Sequence, residues 1–211
     1  MDRTSRAALA ILLAFFTPAC FAASNVDLSV HGTITPSACT PLLGEEGLID
    51  YGKIAARDLN PATFTRLPDA TLPLAVNCEA STLFALKLTD NRAGSSATAP
   101  IGFGLGLVNG TEKVGVFAVV LRTPLADNAP ITQLQSLNDG LSWMVVEDGV
   151  ALPAQRLAGF GNASSGTWSP IPIQTLRVQM RVSASIAPTQ GLTLDREVPL
   201  DGSVTLGLIY L

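Results

Sequence analysis

Few side chains in this 211-residue sequence have the type and spacing that catalysis or metal binding needs. The lone histidine, His31, has no cysteine or carboxylate at ligand spacing around it, so it forms no zinc-type site. Glu45-Glu46 and Glu147-Asp148 are acidic pairs, but glycoside hydrolysis needs two carboxylates at a set separation across a cleft. Both pairs read as solvated turns. Gly102-Phe103-Gly104-Leu105-Gly106 has the glycine spacing of a dinucleotide loop. It lacks the strand before and helix after that would aim backbone amides at a phosphate. The expected use of these glycines is to let another part of the chain pack closely. No Gly-x-Ser-x-Gly elbow occurs. Trp143, Trp168 and Tyr51 could stack on a sugar, although packing in core or turns is the expected use. The sequence therefore assigns no catalytic, cofactor-binding or metal-ligating residue and no cofactor, and an enzyme is not expected.

The chemistry that remains belongs to cysteine. Arg3 and Arg6 precede an apolar run from Ala7 to Phe16, and Cys20 and Ala22 take the small-residue positions before a cut. This is the pattern of a secretory signal over residues 1–22. A lipoprotein cut before Cys20 is the alternative, without the leucine such a site favours. The apolar run is too short to span a bilayer, and no later stretch is long enough. Removing the signal leaves Cys39 and Cys78, and two cysteines in an exported chain are expected to form a disulfide. Losing Arg3, Arg6 and Asp2 takes the basic residues from 13 to 11 and the acidic ones from 17 to 16, a net charge of about −5. A mildly acidic chain with no basic cluster argues against nucleic acid or an anionic membrane as partner. Charged residues are only 14% of the sequence, which suggests apolar surface buried between subunits.

Strands must position these residues. Val26, Leu28, Val30 and Ile34 alternate with Asp27, Ser29, His31, Thr33 and Thr35, the period of two that marks a strand with one buried face. The run leads into Cys39. Pro41 to Gly47 reads as a turn-rich connection, and Leu48 to Ile54 as a short strand. Ala70 to Cys78 alternates again, followed by a strand from Leu83 to Thr89, which places Cys78 beside the end of the first strand. Ile101 to Val108, the turn Asn109-Gly110 and a return over Val114 to Arg122 form an expected hairpin. Thr123 to Leu141 is loop-rich with a short strand near Ile131 to Leu137. Ile173 to Ala187 sets Leu176, Val178, Met180 and Val182 against Arg177, Gln179, Arg181 and Ser183, a half-solvated strand. From Val198 onward one face carries Leu200, Gly202, Val204, Leu206, Leu208 and Tyr210. With no helix longer than a turn or two, the pattern indicates an all-β antiparallel sandwich.

Several of these motifs resemble bacterial chaperone–usher pilus subunits, and look most like the fimbrial-like proteins of the DUF1120 group. They are Gly32-Thr33-Ile34 leading to Ala38-Cys39, then Asp50-Tyr51-Gly52-Lys53-Ile54, then Leu72-Pro73-Leu74-Ala75-Val76-Asn77-Cys78, and Gly202 with the run to penultimate Tyr210. The resemblance implies an immunoglobulin-like, pilin-type sandwich over residues 35–211 that lacks its final strand. It implies a donor segment over residues 23–34 that carries Val26, Leu28 and Val30. Gly202, Val204, Leu206, Leu208 and Tyr210 would then line the acceptor edge. A periplasmic chaperone would fill the groove first, and the N-terminal strand of the next subunit would replace it at an outer-membrane usher. The chain would thus be a structural subunit of an adhesive surface polymer, a fimbria, exported to the periplasm and then the cell surface. A self-contained secreted β-sandwich that binds carbohydrate or another surface is the alternative.

Overall fold

A computed structural model describes residues 38–163 and 166–211, with Ser29 alone ahead of them. The signal segment and the donor residues Val26, Leu28 and Val30 lie outside the described residues. So does His31.

The chain enters through β1 (Cys39–Leu43), where the sequence reading placed a turn. Pro41 misled that reading: proline lacks an N–H to donate, but an edge strand needs donors on one side only. β1 pairs antiparallel with β3 (Ala70–Thr82), after the two-residue β2 (Thr65–Arg66). β3 puts Leu72, Leu74, Val76 and Cys78 on one face, all buried, and β4 (Phe84–Asp90) follows after a single residue. The stretch from Ile101 to Val108 is not one strand. Gly106 has φ +92°, which breaks it into β5 (Phe103–Gly104) and β6 (Leu107–Val108). β6 turns through Asn109-Gly110, both at positive φ, into β7 (Glu112–Lys113), so the expected turn forms with shorter arms.

β8 (Gly115–Ala126) turns tightly through Asp127-Asn128, again both at positive φ, into β9 (Ala129–Pro130). β10 (Thr132–Ser136), β11 (Met144–Val145), β12 (Leu157–Asn162) and β13 (Ser169–Pro170) build the middle of the second sheet. β14 (Ile173–Ile186) follows its sequence alternation closely, with Leu176, Val178, Met180 and Val182 buried. β15 (Val204–Tyr210) ends the fold.

Two antiparallel sheets enclose the core. One has the order β1-β3-β14-β8-β5, with β2 on β14 and β9 on β8; the other has the order β11-β10-β12-β4-β15, with β13 on β12. In chain order β1, β3, β8 and β14 match strands A, B, D and E of an immunoglobulin sandwich, and β4 and β15 match C and F. The remaining strand of that plan, G, has no counterpart among the described residues. Register brings Leu72, Leu74 and Val76 of β3 opposite Met180, Val178 and Leu176 of β14. Those six join Phe103, Phe117 and Phe160 in one core. Each fully buried side chain of this size stabilises the fold by about 1.5–3 kcal/mol before chain entropy is counted. Close backbone approach is built in by glycine: a Cβ on Gly104 would strike Ser95 Oγ, and one on Gly102 would lie 2.5 Å from Val116.

Candidate functional site at an open seam

β1 and β15 are the outermost strands of their sheets, and they meet on one side of the sandwich. The Cys39 N–H donates to the Tyr210 hydroxyl at 3.0 Å, joining the two edges at one end. A disulfide fixes the β1 side: Cys39 and Cys78 stand directly opposite in register and are bonded, as the sequence led one to expect. On the β15 side, Val204, Leu206 and Leu208 point at the core yet are only half-buried. Their neighbours on β4, Phe84, Leu86 and Leu88, are 2%, 0% and 1% exposed. Two strands share the same core, and only the one with a single partner leaves its apolar face partly open.

Away from the Cys39–Tyr210 contact the seam widens into a cleft of about 960 Å³, at the upper end of the range for ligand-sized pockets. One wall is the chain from Ile49 to Ala56, irregular and bent at Gly52 (φ +63°). The other is the irregular chain from Leu194 to Leu200. Ile49, Ile54, Leu59, Leu192, Val198 and Leu200 pack on the core between them, all half-buried. Among the described residues no backbone hydrogen bond joins one wall to the other. The sequence reading made a strand of Leu48 to Ile54 and began the last strand at Val198; neither 48–54 nor 198–203 forms a strand, and neither has a ladder partner among the described residues.

Side chains hold the walls in place. The Glu112 carboxylate accepts from the Thr193 N–H at 2.6 Å, the Thr193 hydroxyl at 2.9 Å and the Asn109 amide at 3.0 Å. These bonds hold the Glu112 carboxyl below the ordinary glutamate range, the Thr193 backbone bond contributing most. At the other end of the same wall, Arg92 donates Nε and Nη2 to Asp201, both at 2.7 Å, and the Asp201 N–H reaches Leu105 O at 3.0 Å. The Arg92 fork holds Asp201 below the usual carboxylate range. On the opposite wall Gly52, at φ +63°, donates its N–H to Asp50 Oδ1 at 2.8 Å. Tyr51 places its hydroxyl where it is buried with no hydrogen-bond partner, and burial, with the Asp69 charge behind it, pushes that phenol up. An exposed ion pair, Lys53 with Glu197 at 2.7 Å, crosses the mouth from wall to wall.

The residues singled out in the sequence fall into three groups. Val204, Leu206 and Leu208 lie together on the seam. Gly202 lies just before β15 where a Cβ would be 2.9 Å from both Leu105 and Phe117, so it serves close packing there. Tyr210 is about half-exposed and accepts from Cys39. The remaining candidates are dispersed: Glu45 and Glu46 are exposed in a short helical turn, and Asp148 pairs with Arg122. Trp143 packs over Gly159 and donates its indole N–H to Gly140 O at 3.1 Å. Sequence reading missed the cleft walls, Glu112 and Arg92. The alternations at 49–54 and 198–200 were visible, but nothing local shows that two stretches so far apart face each other.

Chemically the site offers apolar side chains at its base and, along its rims, backbone that joins no strand ladder among the described residues. No group of three or more metal-ligating side chains occurs among the described residues. No helix among them is long and apolar enough to cross a membrane.

What the fold and seam define is a disulfide-closed, antiparallel all-β sandwich with one side unpaired. A family model described as "Protein of unknown function (DUF1120)" matches residues 28–108, which run from ahead of β1 through β6. The uncharacterized protein YhcF of Escherichia coli K12 is similar along its whole length: 23% identical, covering 94% of this chain and 95% of its own. Protein GltF of the same organism is 24% identical over 99% of this chain and 97% of its own.

Proposed function

We propose that this chain is a structural subunit of a fimbria- or pilus-like surface polymer, assembled by donor-strand exchange and supporting cell adhesion. The observation that carries the reading is the seam between β1 and β15, where the core is half-covered and the strand-G position is vacant among the described residues. A second copy of the chain supplies the occupant. Its residues 26–34 alternate apolar and polar side chains, so Val26, Leu28 and Val30 enter the cleft while the intervening residues face water. Donor and acceptor surfaces differ, so the contact is head-to-tail and propagates into a fibre rather than closing into a ring.

Until a donor arrives, an exposed seam of this kind invites aggregation. A periplasmic chaperone that lends a strand, and an outer-membrane usher where the exchange occurs, are the partners this reading requires. The route runs from periplasm to cell surface. A synthetic peptide of residues 23–36, titrated into the folded chain, tests it. Binding with slowed hydrogen exchange along 49–56 and 204–210 is expected. A peptide that leaves those amides unprotected would remove the basis for the proposal.

A further inference from the structure

We propose that the outer face of the seven-stranded sheet binds the carboxylate of an acidic saccharide on the exposed edges of the Arg66 and Arg181 guanidiniums, beside Asp69. This site is separate from the seam and does not depend on strand exchange. β14 alternates, so while Val182, Ala184 and Ile186 enter the core, Arg181, Ser183 and Ser185 face outward. Register sets them beside Val120, Ala118 and Val116 of β8. Arg66 joins the row because β2 pairs with the end of β14, opposite Ser185. The chain around Ile101 and Ala151, both beyond the β8 edge, completes the lining of a trough of about 360 Å³.

Charge is unbalanced in this trough. Arg66 donates Nη2 to both oxygens of Asp69, at 2.9 and 3.0 Å. Arg181 Nη1 is 3.5 Å from the same Asp69, while its Nε is buried with no hydrogen-bond partner. Two guanidinium charges therefore share one carboxylate, and both side chains stay partly exposed, Arg66 at 65% and Arg181 at 29%. Asp148, next in sequence to Gly149 of the lining, is held by Arg122 and leaves that excess standing.

A guanidinium fork matches a carboxylate in shape as well as in charge. The rest of the trough selects for more than a bare anion. Val116 and Ala118 offer an apolar floor for the C–H face of a sugar ring, and the hydroxyls of Ser185 and Thr98 stand within the lining to meet ring hydroxyls. A uronic acid has all three features in one small ring.

The test is an NMR titration of the full folded chain with glucuronate, glucose and inorganic phosphate. Saturable shifts at the amides of Val116, Ala118, Ser183 and Ser185 are expected with glucuronate at millimolar concentration, and none with glucose. Arg181→Gln and, separately, the more exposed Arg66→Gln should each weaken binding at least tenfold. Arg66→Gln keeps the test sound if Arg181→Gln disturbs folding. Amides that stay still with glucuronate would overturn the proposal. So would glucose binding as well as glucuronate, or phosphate binding as tightly, which would mark a plain anion site.

Discussion

Replacing both Cys39 and Cys78 by alanine removes a cross-link between strands that are already paired in register. Their sequence separation of 39 closes a loop of about 40 residues, and the loop-entropy relation gives about 4 kcal/mol for such a closure at 25 °C. Cys78 is 8% exposed and belongs to the core, so losing its sulfur adds a further cost of about 1 kcal/mol. The sum is a large share of the 5–15 kcal/mol typical of a folded domain. The loss falls first on β1, an edge strand with β3 as its only sheet partner among the described residues, and through β1 on the wall that begins at Ile49. Urea unfolding of the oxidised chain, the reduced chain and the double variant measures this. Reduced chain and variant should agree within about 1 kcal/mol, and both should fall about 3–5 kcal/mol below the oxidised form. A variant within 1 kcal/mol of the oxidised chain would refute the argument that this bridge anchors β1.

The acid sensitivity of the cleft wall should trace to Glu112. Its carboxyl sits below the ordinary glutamate range when folded, so its contribution is present above the unfolded pKa and is lost as pH falls through the folded one. Glu112→Gln should flatten the decline in stability between pH 6 and pH 3; an unchanged slope in the variant would exclude the role given to the Thr193 contacts. Gly104→Ala should cost about 1–3 kcal/mol, because the new methyl strikes Ser95 Oγ and crowds the Arg92 carbonyl at 2.9 Å. Unchanged thermal stability would show that the loop before β5 yields easily.

Reading the sequence recovered what depends on one face being buried. β14 and β3 alternate cleanly because each has the core on one side and polar surroundings on the other, and both were legible almost residue by residue. The disulfide followed from export and cysteine count alone. The Asn109-Gly110 turn was found from its residue types, while the Asp127-Asn128 turn was passed over within a loop-rich stretch, although both residues are ones that tolerate positive φ.

The seam was harder for a physical reason. Alternation reports side-chain burial, and a strand also needs a backbone partner. Leu48 to Ile54 and Val198 to Gly202 have strand-like side chains for the same reason as β14: they pack on the core. They have no backbone partner among the described residues, and no local pattern records that. Pro41 gave the opposite error, since a residue that usually ends strands is tolerated at an edge. The trough on the outer sheet face was also invisible, because Arg66 and Arg181 meet only through the pairing of β2 with β14.

The vacant strand position is the centre of this account, and melting temperature tests it most directly. The mature chain should be compared with a version that carries a second copy of residues 23–36 after Leu211 through a short linker. Seating Val26, Leu28 and Val30 in the cleft buries three apolar side chains at about 1.5–3 kcal/mol each, reduced by the cost of ordering the strand. A net gain of about 3–4 kcal/mol raises the midpoint by roughly 10 °C in a chain of this size. A rise of that order, with the extended chain staying monomeric, is the predicted result. Equal melting temperatures for the two chains would contradict it and would mean that the sandwich is complete as it stands.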